Sequence, residues 1–235
     1  MGKIEKAFEN LYRESLVLIN ARKIEKGLQI LLEKPQVLKM LEDPSYTNAL
    51  LQNYFHLRDC VRKYQKLVNG NTTELSDQNS VKFVCDSGLG GLTRWLWAAG
   101  YEAVWNPNFD DDYLLDLTIK TSSVLLTTDS MLFERRLLRD KVVRALWLPP
   151  TIKPKIQLFI VFDYFNLKVN EPRCMKCGGI LEEVQKESVA DKIPPRTLKW
   201  LNEYYICLNC GNLFWHGTHW KRIRPVIEEL KSRGH

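Results

Sequence analysis

No stretch of this chain reaches the roughly 18 to 20 unbroken apolar residues that a membrane-spanning helix needs, so no membrane partner is expected. The opening MGKIEKAFEN is charged and has no apolar signal core, which makes the cytosol the expected compartment. There is no internal repeat and no low-complexity tract, which argues against a repeat array. Cysteine is scarce outside two short motifs: of six, only Cys60 and Cys85 stand alone. A disulfide framework is therefore not expected, because closely paired cysteines in a reducing compartment read as metal ligands first. Neither charge sign dominates. The 34 Lys and Arg against 28 Asp and Glu leave +6, a mild lean toward polyanions that identifies no partner by itself.

What is present is an ordinary globular composition, 45% apolar and 26% charged over 235 residues, enough for one sizeable core with smaller appended units. Residues 1–69 show helical spacing in Phe8, Leu11, Tyr12, Leu16 and Ile19 and again in Ile24, Leu28, Leu31 and Leu32, with Pro35 and Pro44 dividing the run. Residues 70–80 read as a linker, with a turn signal at Asn69-Gly70. From Val81 to Phe165 the period alternates. Strands are expected over 81–85, 101–105, 124–128 and 142–148, and helices over 89–99, 110–120, the stretch up to Arg139, and 155–165. This alternation predicts an α/β domain with a parallel sheet and flanking helices over 81–169, preceded by the helical segment and followed by a cysteine-bearing unit over 170–235.

Asp86 and Asp129 each fall at the carboxyl end of an expected strand, and Asp110, Asp111 and Asp112 open a helix at the same end of the sheet. Ligands of open parallel sheets bind at that end. Converging carboxylates repel unless a cation neutralises them, and hard oxygen ligands favour magnesium or manganese, which serve phosphodiester cleavage. The plainer alternative is that Asp110 and Asp129 are only cap or turn residues.

The motifs Cys174-Met-Lys-Cys177-Gly and Cys207-Leu-Asn-Cys210-Gly are two knuckles separated by a loop of about thirty residues. A glycine after the second cysteine lets the chain curl back toward the sulfurs, and four thiolates suit a closed, structural tetrahedral zinc site. Beyond them, His216 and His219 are not needed as ligands. His219, Lys221 and Arg222 are candidate substrate contacts, with Trp215, Trp220 and Arg224 nearby. The alternative is a ribbon core with solvated basic residues. A short closing helix is expected beyond Pro225, through Val226, Ile227 and Leu230.

The stretches FVCDSGLGGLTRWLWAAGYEAVW, DDDYLLDL and VLLTTDSMLFERR, followed by CMKCGGILEEVQKESVADKIPPR and YYICLNCGNLFWHGTHWKRI, resemble the Mut-seven C-terminal PIN-like ribonuclease domain with its zinc-ribbon tail, over about Val81 to Ile223. The resemblance implies a PIN-like fold and an acidic nuclease site at Asp86, Asp111 and Asp129, with Asp112 competing for the register of Asp111 and Asp116 ranked lower. Arg94 matches the family's Arg before Trp95, where it would bind phosphate or pair with an acid. Two positions depart from the pattern: Thr128 and Trp97 stand where a basic residue is usual, which removes two possible phosphate contacts. The helical segment 1–69 matches no part of it. The function expected is a divalent-metal-dependent ribonuclease with structural zinc and catalytic magnesium or manganese. The helical segment would serve a protein partner or self-association. The alternative is a catalytically weak RNA- or protein-binding module using the ribbon and those helices.

Overall fold

In the computed structural model, the described residues are 81–129, 131–139, 142–148 and 152–233, together with Ala49 and Gln52, which are helical. The rest of the expected segment 1–69 and the linker 70–80 lie outside the described residues. Apart from Ala49, Gln52 and Asp129–Met131, the described residues belong to one compact unit, Leu75–Thr128 with Leu132–His235.

Four short strands form a parallel sheet: β1 (Lys82–Cys85), β2 (Glu102–Trp105), β3 (Val124–Thr127) and β4 (Ala145–Trp147), in the order β2-β1-β3-β4. The central strands are apolar runs buried on both faces, as a sheet covered by helices requires. Three helices fill the crossovers: α1 (Gly90–Ala98), α2 (Asp111–Lys120) and the short α3 (Arg136–Arg139). The chain steps from β1 to its neighbour β2, then crosses back over β1 to β3 and on to β4. With right-handed crossovers, that reversal puts α1 on one face of the sheet and α2 and α3 on the other.

The side chains of β1 follow this division. Val84 packs with Leu114 and Leu115 of α2 and with Leu125, Leu132, Leu138 and Val143. Phe83 points the other way, to Tyr101 at 5.9 Å and Phe165 at 5.8 Å between ring centroids, and Tyr101 meets Phe162 edge-on at 5.6 Å. Such edge contacts contribute about 0.5–1.5 kcal/mol each beyond area burial. Phe162 and Phe165 belong to α4 (Pro154–Phe165), which opens on Pro154 and closes on Asn166 in the left-handed conformation. Gln157 to Phe162 are all buried, as expected of a helix covered on more than one side.

After α4 the chain runs beside the end of α1. Tyr101 Oη donates to Lys168 O at 2.6 Å, Asn170 N to Ala99 O at 3.0 Å, and Arg173 N to Trp97 O at 2.8 Å. A second, antiparallel sheet follows, β5 (Leu181–Val184), β6 (Tyr204–Cys207) and β7 (Leu213–Trp215), in the order β5-β6-β7. The long loop between β5 and β6 folds locally, as a 3-10 stretch at Lys186–Lys192 and α5 (Pro195–Trp200). Val189, Ile193 and Tyr204 form its own small core.

Three boundaries differ from expectation. The strand expected over 142–148 is only Ala145–Trp147, and the helix before it is split into a 3-10 turn, Met131–Glu134, and α3. The closing helix α6 spans Thr218–Arg233, with Pro225 inside it instead of before it. Pro225 removes one main-chain donor. The helix continues past it because Val226, Ile227 and Leu230 are buried on the face that packs on α4, where Lys155 also pairs with Glu229 at 3.0 Å. Among the described residues no helix is long and apolar enough to cross a membrane.

Candidate active site and cysteine cluster

The sheet reverses its winding between β1 and β3, and the crevice outside their carboxyl ends is where open α/β sheets bind ligands. Asp86 occupies that position. Its backbone N–H donates to Leu126 O at 3.0 Å, which extends the β1–β3 pairing by one bond. The residue is 7% exposed, and its side chain accepts four hydrogen bonds. Oδ2 accepts from Thr127 Oγ1 at 2.6 Å, from Thr128 N at 2.6 Å and from Thr128 Oγ1 at 3.1 Å. Oδ1 accepts from Gly88 N at 2.8 Å, which caps the 3-10 turn Ser87–Leu89. A buried carboxylate would be costly without such donors; here every donor points at it. An ionised carboxylate has about four lone-pair sites, two on each oxygen. Oδ2 is saturated and Oδ1 retains capacity for one more partner.

The acidic run after β2 divides its labour. Asp110 caps α2, accepting from Tyr113 N at 2.8 Å, so the capping reading holds for it. Asp111 and Asp112 are exposed in the first helical turn, where the helix dipole favours them. Asp112 Oδ1 is paired with Arg135 at 2.6 Å. Asp116 is exposed on the same helix. Asp129 follows β3 by two residues, is partly exposed, and accepts from Met131 N at 2.9 Å, a turn-type hydrogen bond.

The two departures at Thr128 and Trp97 have structural partners that the sequence did not reveal. Thr128 supplies two of the donors on Asp86. Trp97 is buried, and its indole N–H donates to Ala103 O at 2.9 Å. Gly178, in the first cysteine turn, lies directly against that indole, and a Cβ there would collide with it. Arg94 is exposed on α1 and, among the described residues, makes no ion pair. It does not pair with a site acid.

The four cysteines converge. All their sulfurs lie within 4.8 Å of one another, with Cys174–Cys210 at 3.7 Å and Cys177–Cys207 at 3.5 Å. A disulfide needs about 2.05 Å. A tetrahedron with Zn–S of about 2.3 Å has S–S edges of about 3.8 Å, so the donor set fits a thiolate-bound metal ion. Among the described residues no other group of three or more potential ligands comes together in this way. The knuckles are built alike. Gly178 N donates to Cys174 O at 2.8 Å and Cys174 N to Gly179 O at 2.9 Å; Gly211 N donates to Cys207 O at 2.9 Å and Cys207 N to Asn212 O at 3.0 Å. Gly178 at φ 73° and Gly211 at φ 67° make these turns, as the position after the second cysteine requires.

Burial raises the Cys174 thiol to about 12. Burial also works against Cys177, but the Gly179 amide and the neighbouring thiols outweigh it and lower this group to about 7. His216 stands apart from the cluster, with Nδ1 3.1 Å from Glu203 Oε2 and its ring stacked on Trp220 at 4.9 Å. Lys221 and Arg222 are exposed on α6, whereas Arg224 pairs with Glu228 at 2.8 Å. His219 lies in α6, but its side chain is outside the described residues.

Fold and sites together define an α/β protein with a donor-clamped carboxylate at its switch point and a four-thiol set able to hold a metal ion. Residues 81–227 match the family model of the Mut7-C RNAse domain, and the chain belongs to that family. The match spans both the carboxylates and the cysteines and points to a ribonuclease-type function with RNA as substrate. Comparison with curated proteins and with solved structures returned no match.

Proposed function

We propose that this protein is a cytosolic, divalent-metal-dependent ribonuclease with a PIN-like acidic site and a zinc ribbon. The observation that carries the reading is Asp86: a carboxylate buried at the switch point, held as an acceptor by four donors, with one lone-pair site left on Oδ1. Asp86, Asp111 and Asp129 are the proposed ligands of magnesium or manganese; among the described residues only the four cysteines come together as a metal-ligand group, so the ion itself would have to gather these carboxylates. Asp111 is preferred to Asp112 because Asp112 already pairs with Arg135. Such an ion supplies charge neutralisation at the scissile phosphate and Lewis-acid activation of water. The chain's own part is to fix the Asp86 carboxylate through Thr127 and Thr128 and to keep one side of it dry. Cys174, Cys177, Cys207 and Cys210 would hold structural zinc, which locks the second sheet without entering the chemistry. His219, Lys221 and Arg222 on α6 are proposed to touch substrate, and residues 1–69 to meet a protein partner or a second copy.

The test is cleavage of mixed structured and single-stranded RNAs, with magnesium or manganese added or omitted, by wild type, Asp86→Asn and Asp129→Asn. Metal-dependent cleavage lost in both variants supports the carboxylate mechanism. A folded, zinc-loaded wild type that cleaves no RNA overturns it in favour of a binding module.

A further inference from the structure

We propose that a groove of about 720 Å³ along the β2 edge of the parallel sheet is a strand-anchoring subsite, taking the phosphates of single-stranded RNA on Arg94 and Lys176 and a base against Trp105 and Phe214. The proposal rests on the ribonuclease reading and names where the substrate lies.

The groove follows from local construction. Among the described residues no strand pairs beyond β2, so α1, the edge strand and the Cys174–Cys177 turn leave an open channel between them. Gly90 opens α1, and the half-buried Trp105 ring lies on it; a Cβ at position 90 would come within 2.6 Å of the ring. The Trp105 indole donates to Ser87 O at 3.1 Å, which ties the ring to the residue that follows Asp86. In the sheet, Trp105 is the register partner of Cys85, the residue before Asp86. The groove therefore begins beside the Asp86 turn and runs along α1 toward the cysteine turn. A strand seated there would lie beside the Trp105 ring, which is bonded to the residue after Asp86.

The electrostatics favour a polyanion. No carboxylate lines the groove among the described residues. The edge strand's own acid, Glu102, pairs with Lys82 at 3.4 Å. Arg94 makes no ion pair among the described residues, and Lys176 hydrogen-bonds a neutral partner, Asn212, at 3.4 Å. Two such cations beside partly exposed aromatic faces are the elements by which proteins hold single strands: phosphates on the charges and bases on the rings. The volume falls within the about 300–1,000 Å³ usual for small-molecule clefts.

The experiment measures binding apart from cleavage. A fluorescein-labelled single-stranded RNA and a matched duplex are titrated by anisotropy in magnesium- and manganese-free buffer over a salt series. Wild type, Arg94→Ala, Lys176→Ala and the double variant are compared, each with its unfolding midpoint. Each single variant is expected to weaken single-strand binding several-fold. The double variant is expected to flatten the slope of log K against log salt by roughly 1.4, about 0.7 for each phosphate no longer neutralised. Unchanged affinity and slope in the double variant, while wild type cleaves RNA, overturns the groove and leaves the nuclease reading intact. Abolished binding in the double variant, while wild type cleaves nothing, supports the groove and overturns the nuclease reading instead. Duplex bound as tightly as single strand and weakened equally overturns the single-strand assignment.

Discussion

Thr127 donates its hydroxyl to Asp86 Oδ2 at 2.6 Å across the β1–β3 seam, and Thr128 adds its amide and hydroxyl to the same oxygen. Substitution of the two threonines should therefore be unequal. Thr127→Val keeps the shape and removes a short bond to a charged acceptor, with an expected loss of about 1.5–3 kcal/mol. Thr128→Val removes only the longer bond and leaves the amide, so its loss should be smaller. Denaturant midpoints at neutral pH check the order; equal losses would contradict the clamp. Asp86→Asn is also expected to lose stability, because an amide turns an N–H₂ group toward at least one of these donors. Any activity comparison with that variant needs a folding control.

Gly178 and Gly211 occupy equivalent places in the two knuckles, but only Gly178 faces a side chain. Alanine at either must adopt a left-handed backbone, at about 1–2 kcal/mol. At Gly211 nothing lies within 4 Å, whereas at Gly178 the new methyl meets the Trp97 indole. Gly178→Ala should thus be clearly the more destabilising, and it should loosen the cysteine turn from α1. Thermal unfolding with zinc stoichiometry measures both effects. A Gly211→Ala variant as unstable as Gly178→Ala would contradict the docking of this turn on Trp97.

These interactions mark the limit of what was legible in the sequence. Strands β1 to β3 are short apolar runs closed by turn residues, so their positions emerge within about one residue from local pattern alone. The cysteine cluster is equally local, two four-residue turns with a glycine after each. Three of the four donors on Asp86 come from 41 and 42 residues away, and the seat of Gly178 from the end of a helix, so neither leaves a local signature. Trp97 and Thr128 stood out only as losses of positive charge; in the fold they are a packing surface and a clamp. Pro225 misled for a related reason, because burial against α4 outweighs one missing donor.

Alkaline pH should destabilise the domain through two buried groups. Burial raises the Cys85 thiol from 9.0 to about 12 and the Tyr101 phenol from 10.0 to about 12. Between the ordinary values and about 12, the folded state keeps protons that the unfolded chain has released. Their contribution is fully present below pH 9 and is lost as pH rises toward 12. The denaturant midpoint should fall between about pH 8 and about pH 10.5 with zinc in excess. A flat profile would contradict the burial of both groups. In zinc-stripped protein near neutrality, Cys177, lowered to about 7, should alkylate before Cys85 and Cys174, both raised to about 12, as read by peptide mapping.

Asp111 and Asp112 stand side by side in the first turn of α2, yet only Asp112 has an ionic partner among the described residues. Its bond to Arg135 is short, but both side chains are well exposed, at 83% and 47%, so the pair is expected to contribute no more than about 0.2–1 kcal/mol. Asp112→Ala should therefore leave stability and cleavage nearly unchanged. Arg135→Ala should do likewise, and the double variant should reveal the same small coupling. Asp111→Ala should behave differently, with little loss of stability and a large loss of cleavage that added manganese partly restores if a metal ligand has been weakened. Single-turnover cleavage across a manganese titration distinguishes the two acids. A loss confined to Asp112→Ala would reverse the register, and would mean that the Arg135 pair opens when the metal binds.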